Sequence, residues 1–299
     1  MKDFLSITDF SSESIYSIFD RADSLHNHWH EHTMPDSLKN KRIALWSWGN
    51  GFRNRVAFEI GGKALGAEVT YIPGDLGIHE PIEDIGFYLN NWFDISVIRC
   101  KNHDDLIAFS KYFKGSVVNA RTNYNHPCEI IGDLQFIRRE RGSIEDLNVL
   151  FVGEVTNLCM SWFEAAVRLP IKVTQIAPEK YLHSKDKIIE LNKDAVGEIS
   201  VATDYEDSIG KHTDVIYTDC WPCDQEISVI EKMFLPYQIK KKHLERMNPK
   251  GFFLPCPPVS RNREVSPESL TMELCKDYAA KEFLLHSQNA ILEYLSNVN

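Results

Sequence analysis

An α/β fold made of two doubly wound parallel-sheet domains is what this sequence predicts, on three observations. Short β-branched or aromatic runs alternate with segments of helical length along the whole chain. The runs fall into two groups of four or five, and a long helical stretch, His126–Arg141, separates the groups. Strands alternating with helices make βαβ units and hence parallel sheets, and 299 residues suffice for two domains of ordinary size. The expected architecture is two sequential domains with a cleft between them.

The strands of the first group are expected at Ile43–Trp48, Glu68–Ile72, Ile95–Cys100 and Ser116–Ala120. Those of the second are expected at Asn148–Gly153, Lys172–Ala177, Glu198–Ala202, Asp214–Thr218 and Gly251–Leu254. Arg55–Leu65, Ile82–Trp92 and Cys159–Arg168 are the clearest helices between them. Ser11 can cap an N-terminal helix whose apolar positions Ile15, Ile18, Phe19, Ala22 and Leu25 follow the i, i+3, i+4, i+7 rule. Ser266-Pro267-Glu268 is expected to open a last helix that buries Tyr278, Phe283, Leu285, Ile291, Leu292 and Leu295. The domains are therefore expected as 1–140, completed by helix 267–299, and 141–266.

With 43% hydrophobic and 25% charged residues the composition is globular. A net charge of −10 argues against a nucleic-acid partner, which needs a basic face. No apolar run reaches 18 residues and the N-terminus does not resemble a signal peptide, so no membrane partner is expected. Seven cysteines, an odd number, read as reduced thiols of a cytoplasmic protein.

The most telling stretch is Trp48-Gly49-Asn50-Gly51-Phe52-Arg53-Asn54-Arg55, where an apolar strand runs through a glycine turn into a helix carrying two arginines in its first turn. Unpaired N–H groups and the helix dipole make such a helix start an anion site. Arg53 adds a planar fork matched to phosphate or carboxylate, whereas Arg55 reads as an ion-pair partner of Glu59. Arg99 closes an apolar strand, where an unpaired charge would be costly, so it too belongs to a site.

Other polar clusters read as structural. Cys220-Trp221-Pro222-Cys223 has redox spacing but lacks the small-domain context of a redox pair, and no fourth ligand accompanies Cys220, Cys223 and Cys256. The alternating His26, His28, His30 and His32 spread around a helix instead of along one face, so no metal is expected there. Lys240-Lys241-Lys242-His243 reads as a solvated helix face.

Taken in order, these pieces resemble the aspartate/ornithine carbamoyltransferase family, the ornithine branch more than the aspartate branch, over nearly the whole chain. Phe4-Leu5-Ser6-Ile7-Thr8-Asp9-Phe10 is similar to the family's start. Gly51-Phe52-Arg53-Asn54-Arg55-Val56-Ala57-Phe58-Glu59 stands where the family has Ser-Thr-Arg-Thr-Arg-x-Ser-Phe-Glu. Asp94–Arg99 resembles the strand ending in a substrate-binding arginine, His126-Pro127-Cys128-Glu129 the His-Pro-x-Gln motif, and Asp214–Trp221 the strand leading to the acceptor-binding aspartate. Pro236–Ile239, Leu254–Pro258 and Arg261–Val265 resemble the ornithine branch's later motifs.

The resemblance implies transfer of a carbamoyl group from carbamoyl phosphate to the amine of an ornithine-like or other amino-acid-type acceptor, without a cofactor. Catalysis then means positioning two substrates and stabilising charge on an oxyanion and a leaving phosphate. It implies that Arg99, His126, Asp219 and Cys256 are catalytic. Gly51, Phe52, Arg53, Asn54, Glu129, Asp75, His79 and Pro257 would join Arg99 and His126 in donor binding, and Asn157, Cys223 and Asp224 would join Asp219 and Cys256 around the acceptor. It also implies a homotrimer, or a multiple of trimers, in which Asp75 and His79 reach a neighbouring subunit.

Departures gather at the donor site. Gly51 and Phe52 replace Ser and Thr, Asn54 replaces a second Thr, Glu129 and Asp75 replace Gln, His79 replaces Lys, and Leu284 replaces a last-helix Arg. On the acceptor side Cys223-Asp224 replaces Ser-Met, and Pro255 and Pro257 replace the His and Leu around Cys256. At about 4 Å and an effective dielectric near 20, each opposed acid would cost a bound phosphate about 4 kcal/mol before screening. Three classes of function stay open on these residues: a carbamoyltransferase, a transferase with another donor or acceptor in a specialised pathway, and a metabolite-binding homologue without turnover.

Overall fold

The computed structural model describes residues 3–49 and 51–297; Asn50 of the glycine turn lies outside them. The chain divides into two compact units, Met1–Glu140 with Lys281–Asn299, and Arg141–Ala280. The first unit opens with α1 (Ser12–His30) and continues through β1 (Arg42–Ser47), α2 (Phe52–Ala64), β2 (Glu68–Pro73), α3 (Ile82–Leu89), β3 (Ile95–Arg99), α4 (His103–Tyr112), β4 (Ser116–Arg121) and α5 (Pro127–Arg141). Its strands are all parallel, in the order β2-β1-β3-β4. The second unit holds β5 (Leu147–Val152), α6 (Asn157–Arg168), β6 (Ile171–Ile176), α7 (Lys185–Asn192), β7 (Glu198–Ala202), α8 (Tyr205–Ser208), β8 (Val215–Thr218), α9 (Ile227–Phe234), α10 (Lys241–Leu244) and β9 (Phe252–Pro255). Its sheet is also parallel, in the order β7-β6-β5-β8-β9. All nine expected strands form, each within one residue of its expected ends.

The strands form where they do because a parallel sheet covered on both faces favours unbroken apolar runs. Ile95, Ser96, Val97 and Ile98 of β3 are all buried, while β2, at the sheet edge, mixes exposed and half-buried residues. The opposite edge is covered by the N-terminal segment: Phe4 N donates to Val117 O (2.8 Å), Asn119 N donates to Phe4 O (2.8 Å), and the Phe4 ring stacks on Phe10. Such cover removes a free edge from the surface. The Ser11 hydroxyl accepts from Ser14 N (3.2 Å) and caps α1, whose Ile15, Ile18, Phe19, Ala22 and Leu25 are buried as the periodicity predicts.

Three helix starts differ from expectation, α6 beginning at Asn157 instead of Cys159. Helix α2 begins at Phe52 instead of Arg55. The last helix, α11 (Asp277–Asn297), begins well after Ser266-Pro267-Glu268, which leads only into a single 3-10 turn at Ser269–Thr271. The backbone beyond that turn bonds to β9 instead: Phe253 N donates to Leu274 O (2.7 Å) and Lys276 N to Phe253 O (3.0 Å). Those bonds leave residues 267–280 in the second unit, and only from Lys281 does α11 belong to the first. Tyr278, expected to be buried, is 84% exposed, while Leu284 is buried and Leu285 only partly so.

From Lys281 onward α11 packs on α1 and α5. Glu293 receives Arg21, the Tyr294 hydroxyl meets Ser14 Oγ (2.7 Å), and a Cβ on Gly132 would come within 3.2 Å of the Leu284 backbone. Among the described residues no helix is long and apolar enough to cross a membrane.

Candidate active site

In an open parallel sheet a ligand is held beyond the carboxyl ends of the strands, at the point where the strand order reverses. The first sheet reverses between β1 and β3, and the second between β5 and β8. Most of the residues singled out in the sequence lie near these two places; Asp75 and His79, on the loop after β2, do not.

At the first reversal, the chain leaves β1 through Gly49 (φ +69°) and enters α2, whose first turn has neither a side-chain cap nor an acidic residue. Its N–H groups and dipole face outward, as an anion floor requires. Arg99, beside Ser47 in the register, ties this turn to β3: Arg99 Nε donates to Trp48 O (3.1 Å) and Trp48 N donates to Arg99 O (2.8 Å). Gly51 is needed here, because a Cβ on it would lie 2.6 Å from the Arg99 guanidinium. Burial, with Arg121 and Arg53 nearby, brings Arg99 down to about 10, against the pull of Glu129. Arg121 is the register partner of Arg99 on β4. Three arginines thus share one small region, an arrangement that a polyanion would stabilise.

Beneath them lies a buried polar network. Glu129, on the first turn of α5, is bonded by Lys281 Nζ from α11 (2.7 Å), and the same ammonium bonds both oxygens of Asp133 (2.8 and 3.0 Å). Burial alone would raise Glu129, but Lys281, His126 and Arg53 outweigh it and hold the acid at about 2. Asn54 turns inward. Its Oδ1 accepts from Gln288 Nε2 (2.7 Å), and its Nδ2 stands 3.3 Å from both Glu129 Oε2 and His126 Nε2. The amide expected to serve the donor is therefore engaged with the acid and the histidine. His126 is pushed down to about 3, first by burial and then by Arg99, Arg121 and Lys281, with Glu129 opposing. It is a neutral imidazole that offers a hydrogen bond and no charge.

The remaining donor-side residues are less convergent. Phe52 is largely exposed, with Arg53 over its ring at 5.0 Å. Arg55 lies over the Tyr71 ring and 3.9 Å from Glu59, in a structural role. The Asp75 carboxylate accepts from Leu76 N and Lys101 N, both at 3.0 Å, and so braces its turn against the residues after β3. His79 is exposed on the same loop, which borders a pocket of about 550 Å³ lined by Trp46, Ile72, Tyr88 and Trp92.

At the second reversal, Glu154 and the buried Asn157 follow β5, Asp219 follows β8 and the buried Cys256 follows β9. Cys256 N donates to Thr218 O (2.9 Å), which keeps the ends of β8 and β9 together, and Thr156 caps α6 beside Asn157. Asp219 Oδ1 accepts from Cys220 N (2.8 Å). Asp224 is bonded by Tyr181 Oη (3.0 Å) and Lys180 Nζ (3.2 Å), while Cys223 beside it is exposed. Glu154 is raised to about 7 by burial and by the Asp224 and Asp219 charges. Glu264 braces the loops from behind: it accepts from Trp221 N (3.0 Å) and Ser260 N (2.6 Å). Pro257, half-buried, precedes Pro258 across a cis peptide. Among the described residues no cysteine is in a disulfide, and the Cys220 thiol, bonded to Pro258 O, is pushed up to about 12 by its burial and by Asp219 and Glu264.

This layout of two sheets and two polar strand-end sites meets its counterpart among known proteins. Residues 2–139 match the family model described as the carbamoyl-P binding domain of aspartate/ornithine carbamoyltransferase, and residues 145–295 match its Asp/Orn binding domain. The chain belongs to the aspartate/ornithine carbamoyltransferase family. Ornithine carbamoyltransferase of Hydrogenovibrio crunogenus is 33% identical over 99% of this chain and 98% of its own. The anabolic ornithine carbamoyltransferase structure from Campylobacter jejuni has a TM-score of 0.89 at 27% identity, with both chains covered completely. The catalytic subunit of M. Jannaschii aspartate transcarbamoylase, at 22% identity and a TM-score of 0.86 over 100% of this chain and 99% of its own, shares the fold. As a carbamoyltransferase, the chain transfers a one-carbon group from carbamoyl phosphate to an amino-acid-type acceptor.

Several residues of these networks were not singled out in the sequence, among them Arg121, Glu154, Glu264, Lys281 and Gln288. Lys281 left one signal, since it shares a helical stripe with Leu284, Gln288, Leu292 and Leu295. A lysine on a burying stripe needs an acidic partner.

Proposed function

We propose that the acceptor is ornithine or a close cationic relative, carbamoylated on its side-chain amine. The observation that carries this reading is the acidity of the second reversal point, where Asp219 and Asp224 are close enough to help raise Glu154 to about 7. An aspartate acceptor would bring its own carboxylates against these groups; a diamino acid brings ammonium charge. The donor remains carbamoyl phosphate. Asp75 and Glu129, the two acids that would repel it, are held by backbone amides and by Lys281 respectively.

In this reading Arg53 and Arg99, with Arg121 behind them, grip the phosphate. Neutral His126 and Arg99 face the carbonyl oxygen, and Gly51 and Phe52 shape a pocket that lacks the family's hydroxyls. Asp219 and Cys256 hold the attacking amine, and Asn157 holds the amino-acid end. The unprotonated amine forms a C–N bond to the carbonyl carbon, the C–O bond to phosphate breaks, and phosphate leaves with the bonding pair and takes up the proton that the amine nitrogen releases. Negative charge developing on the carbonyl oxygen and the phosphate is met by fixed cations, where electrostatic stabilisation counts most.

The assembly is a homotrimer in this reading, supported by the apolar stripe Phe52, Val56 and Ile60 on α2 with Phe87, Tyr88 and Trp92, all exposed in the single chain. Two measurements test the proposal. Ureido product should form from carbamoyl phosphate with ornithine at least tenfold faster than with aspartate, and no product with ornithine at millimolar concentration refutes it. Light scattering should give three chains per particle; a monomer at micromolar concentration removes the trimer.

A further inference from the structure

Helices α1 and α11 bring four ligating side chains together away from both strand-end sites. His26 and His30 are one turn apart on α1, Glu282 and His286 one turn apart on α11, and their ligand atoms all lie within 4.8 Å of one another. As a run of four, the alternating histidines scatter around the helix; His26 and His30 taken as a pair share one face. Glu282 Oε1 is central: it is 2.7 Å from His30 Nε2, 3.5 Å from His26 Nε2 and 3.7 Å from His286 Nε2.

We propose that this cluster is a divalent metal site of zinc type, with three imidazoles and one carboxylate as its ligands. The second observation is His286 itself. Its side chain is 1% exposed, and neither ring nitrogen has a hydrogen-bond partner. A buried imidazole with both nitrogens unsatisfied is costly, and a metal on Nε2 removes part of that cost. Three nitrogens and one oxygen suit zinc, whose bonds of about 2.0–2.2 Å place tetrahedral ligand atoms roughly 3.3–3.5 Å apart. The observed spacings bracket that range, so rotations of a few side chains close the shell. The rings are already packed against one another, His26 on Phe283 at 5.2 Å and on His286 at 4.9 Å between centroids. Burial and Arg139 lower His26, and burial lowers His286 to about 4. Among the described residues Arg139 acts on His26 as a cation that opposes the metal's charge, and Glu282 offsets it. His30 and Glu282 are exposed, which gives the ion a way in.

The metal would staple the last helix to the first. Lys281 immediately precedes Glu282, and Gln288 follows His286 by two residues, so the stapled stretch is the one that holds Glu129 and Asn54. The test uses EDTA-treated full-length protein titrated with Zn2+ and with Co2+. One equivalent per chain should bind, and bound Co2+ should show intense tetrahedral visible bands without thiolate charge-transfer bands in the near ultraviolet. Zn2+ should raise the thermal midpoint. His30→Gln and Glu282→Gln, both at exposed positions, should keep the fold, weaken binding at least tenfold and abolish the thermal shift. The proposal is overturned if Co2+ keeps its six-coordinate spectrum, if the two variants bind as the parent does, or if thiolate bands appear and binding is lost in Cys220→Ser/Cys223→Ser.

Discussion

Removing the Lys281 ammonium while keeping its shape, as in Lys281→Met, leaves two carboxylates buried without their shared cation. Glu129 and Asp133 are 6% and 1% exposed, and Lys281 bonds both. Breaking a buried pair from one side costs about 3–5 kcal/mol, because the remaining charge is uncompensated. The pKa of Glu129 gives a parallel figure. Held at about 2 instead of 4.5, it contributes on the order of 3 kcal/mol to folding. The sign follows from the depression: the unfolded state binds the proton first, so this stability is present above about pH 4.5 and is lost as pH falls toward 2. The assay is urea unfolding at fixed protein concentration, at pH 7 and pH 4, for the parent, Lys281→Met, Glu129→Gln and the double variant. Lys281→Met should lose about 3–5 kcal/mol at pH 7. Glu129→Gln, in which Lys281 keeps Asp133, should lose about 1 kcal/mol. The double variant should fall short of the sum by about 2 kcal/mol. The KM for carbamoyl phosphate should also rise at least tenfold in Lys281→Met. A Lys281→Met protein within 1 kcal/mol of the parent, or an acid limb unchanged by Glu129→Gln, would refute the reasoning.

Three further outcomes are expected. Gly51→Ser puts a hydroxyl at the head of α2, yet its Cβ would fall 2.6 Å from the Arg99 guanidinium and displace it; calorimetry should show phosphate binding at least tenfold weaker with the thermal midpoint nearly unchanged. Glu154, raised to about 7, keeps its proton in the folded protein where the unfolded chain has lost it, so it lowers stability as pH climbs from about 4.5 through 7. Glu154→Gln should therefore stabilise by about 1–2 kcal/mol at pH 8, after a discount for partial exposure, and not at pH 4.5; equal stabilisation at both would contradict the assignment. Glu264→Gln weakens two charge-assisted bonds to the Trp221 and Ser260 amides and should cost about 1.5–3 kcal/mol with a higher KM for the acceptor alone; a rise in donor KM instead would misplace its role.

What the sequence made legible, and what it did not, follows from how far apart the partners lie. Strands such as Ile95–Arg99 were visible because a central parallel strand is an unbroken apolar run, and a charge closing such a run, as Arg99 does, announces a site. Asp219 and Cys256, each just beyond a strand, were named only through the family resemblance. The start of α11 was hidden, because the helix-like Ser266-Pro267-Glu268 says nothing of the bonds that Leu274 and Lys276 give to Phe253. Lys281 was hidden for a similar reason: its partner Glu129 sits on another helix far away in the chain, and no periodicity records such a pair. Asp75 and Glu129 looked like lone acids for as long as their partners were out of view.

The departures that the family resemblance leads one to expect at the donor site read as one change once those partners are known. An acid at Glu129 in place of an amide would empty the site of phosphate if it stood alone. Lys281 cancels it from the last helix, and Asn54, in place of a hydroxyl, supplies an amide long enough to join Gln288 on one side to Glu129 and His126 on the other. A threonine at 54 has no second donor hydrogen for that bridge. Across Arg53, Arg99, Arg121, Lys281, Glu129 and Asp133, four cations still face two carboxylates, and the surplus matches a dianionic phosphate in charge. The lost hydroxyls at 51 and 52 then cost hydrogen bonds but no charge, and Gly51 returns something for its share: the space in which the Arg99 guanidinium sits. With Gly51, Asn54, Glu129 and Lys281 acting together, the site keeps the electrostatics that carbamoyl phosphate requires.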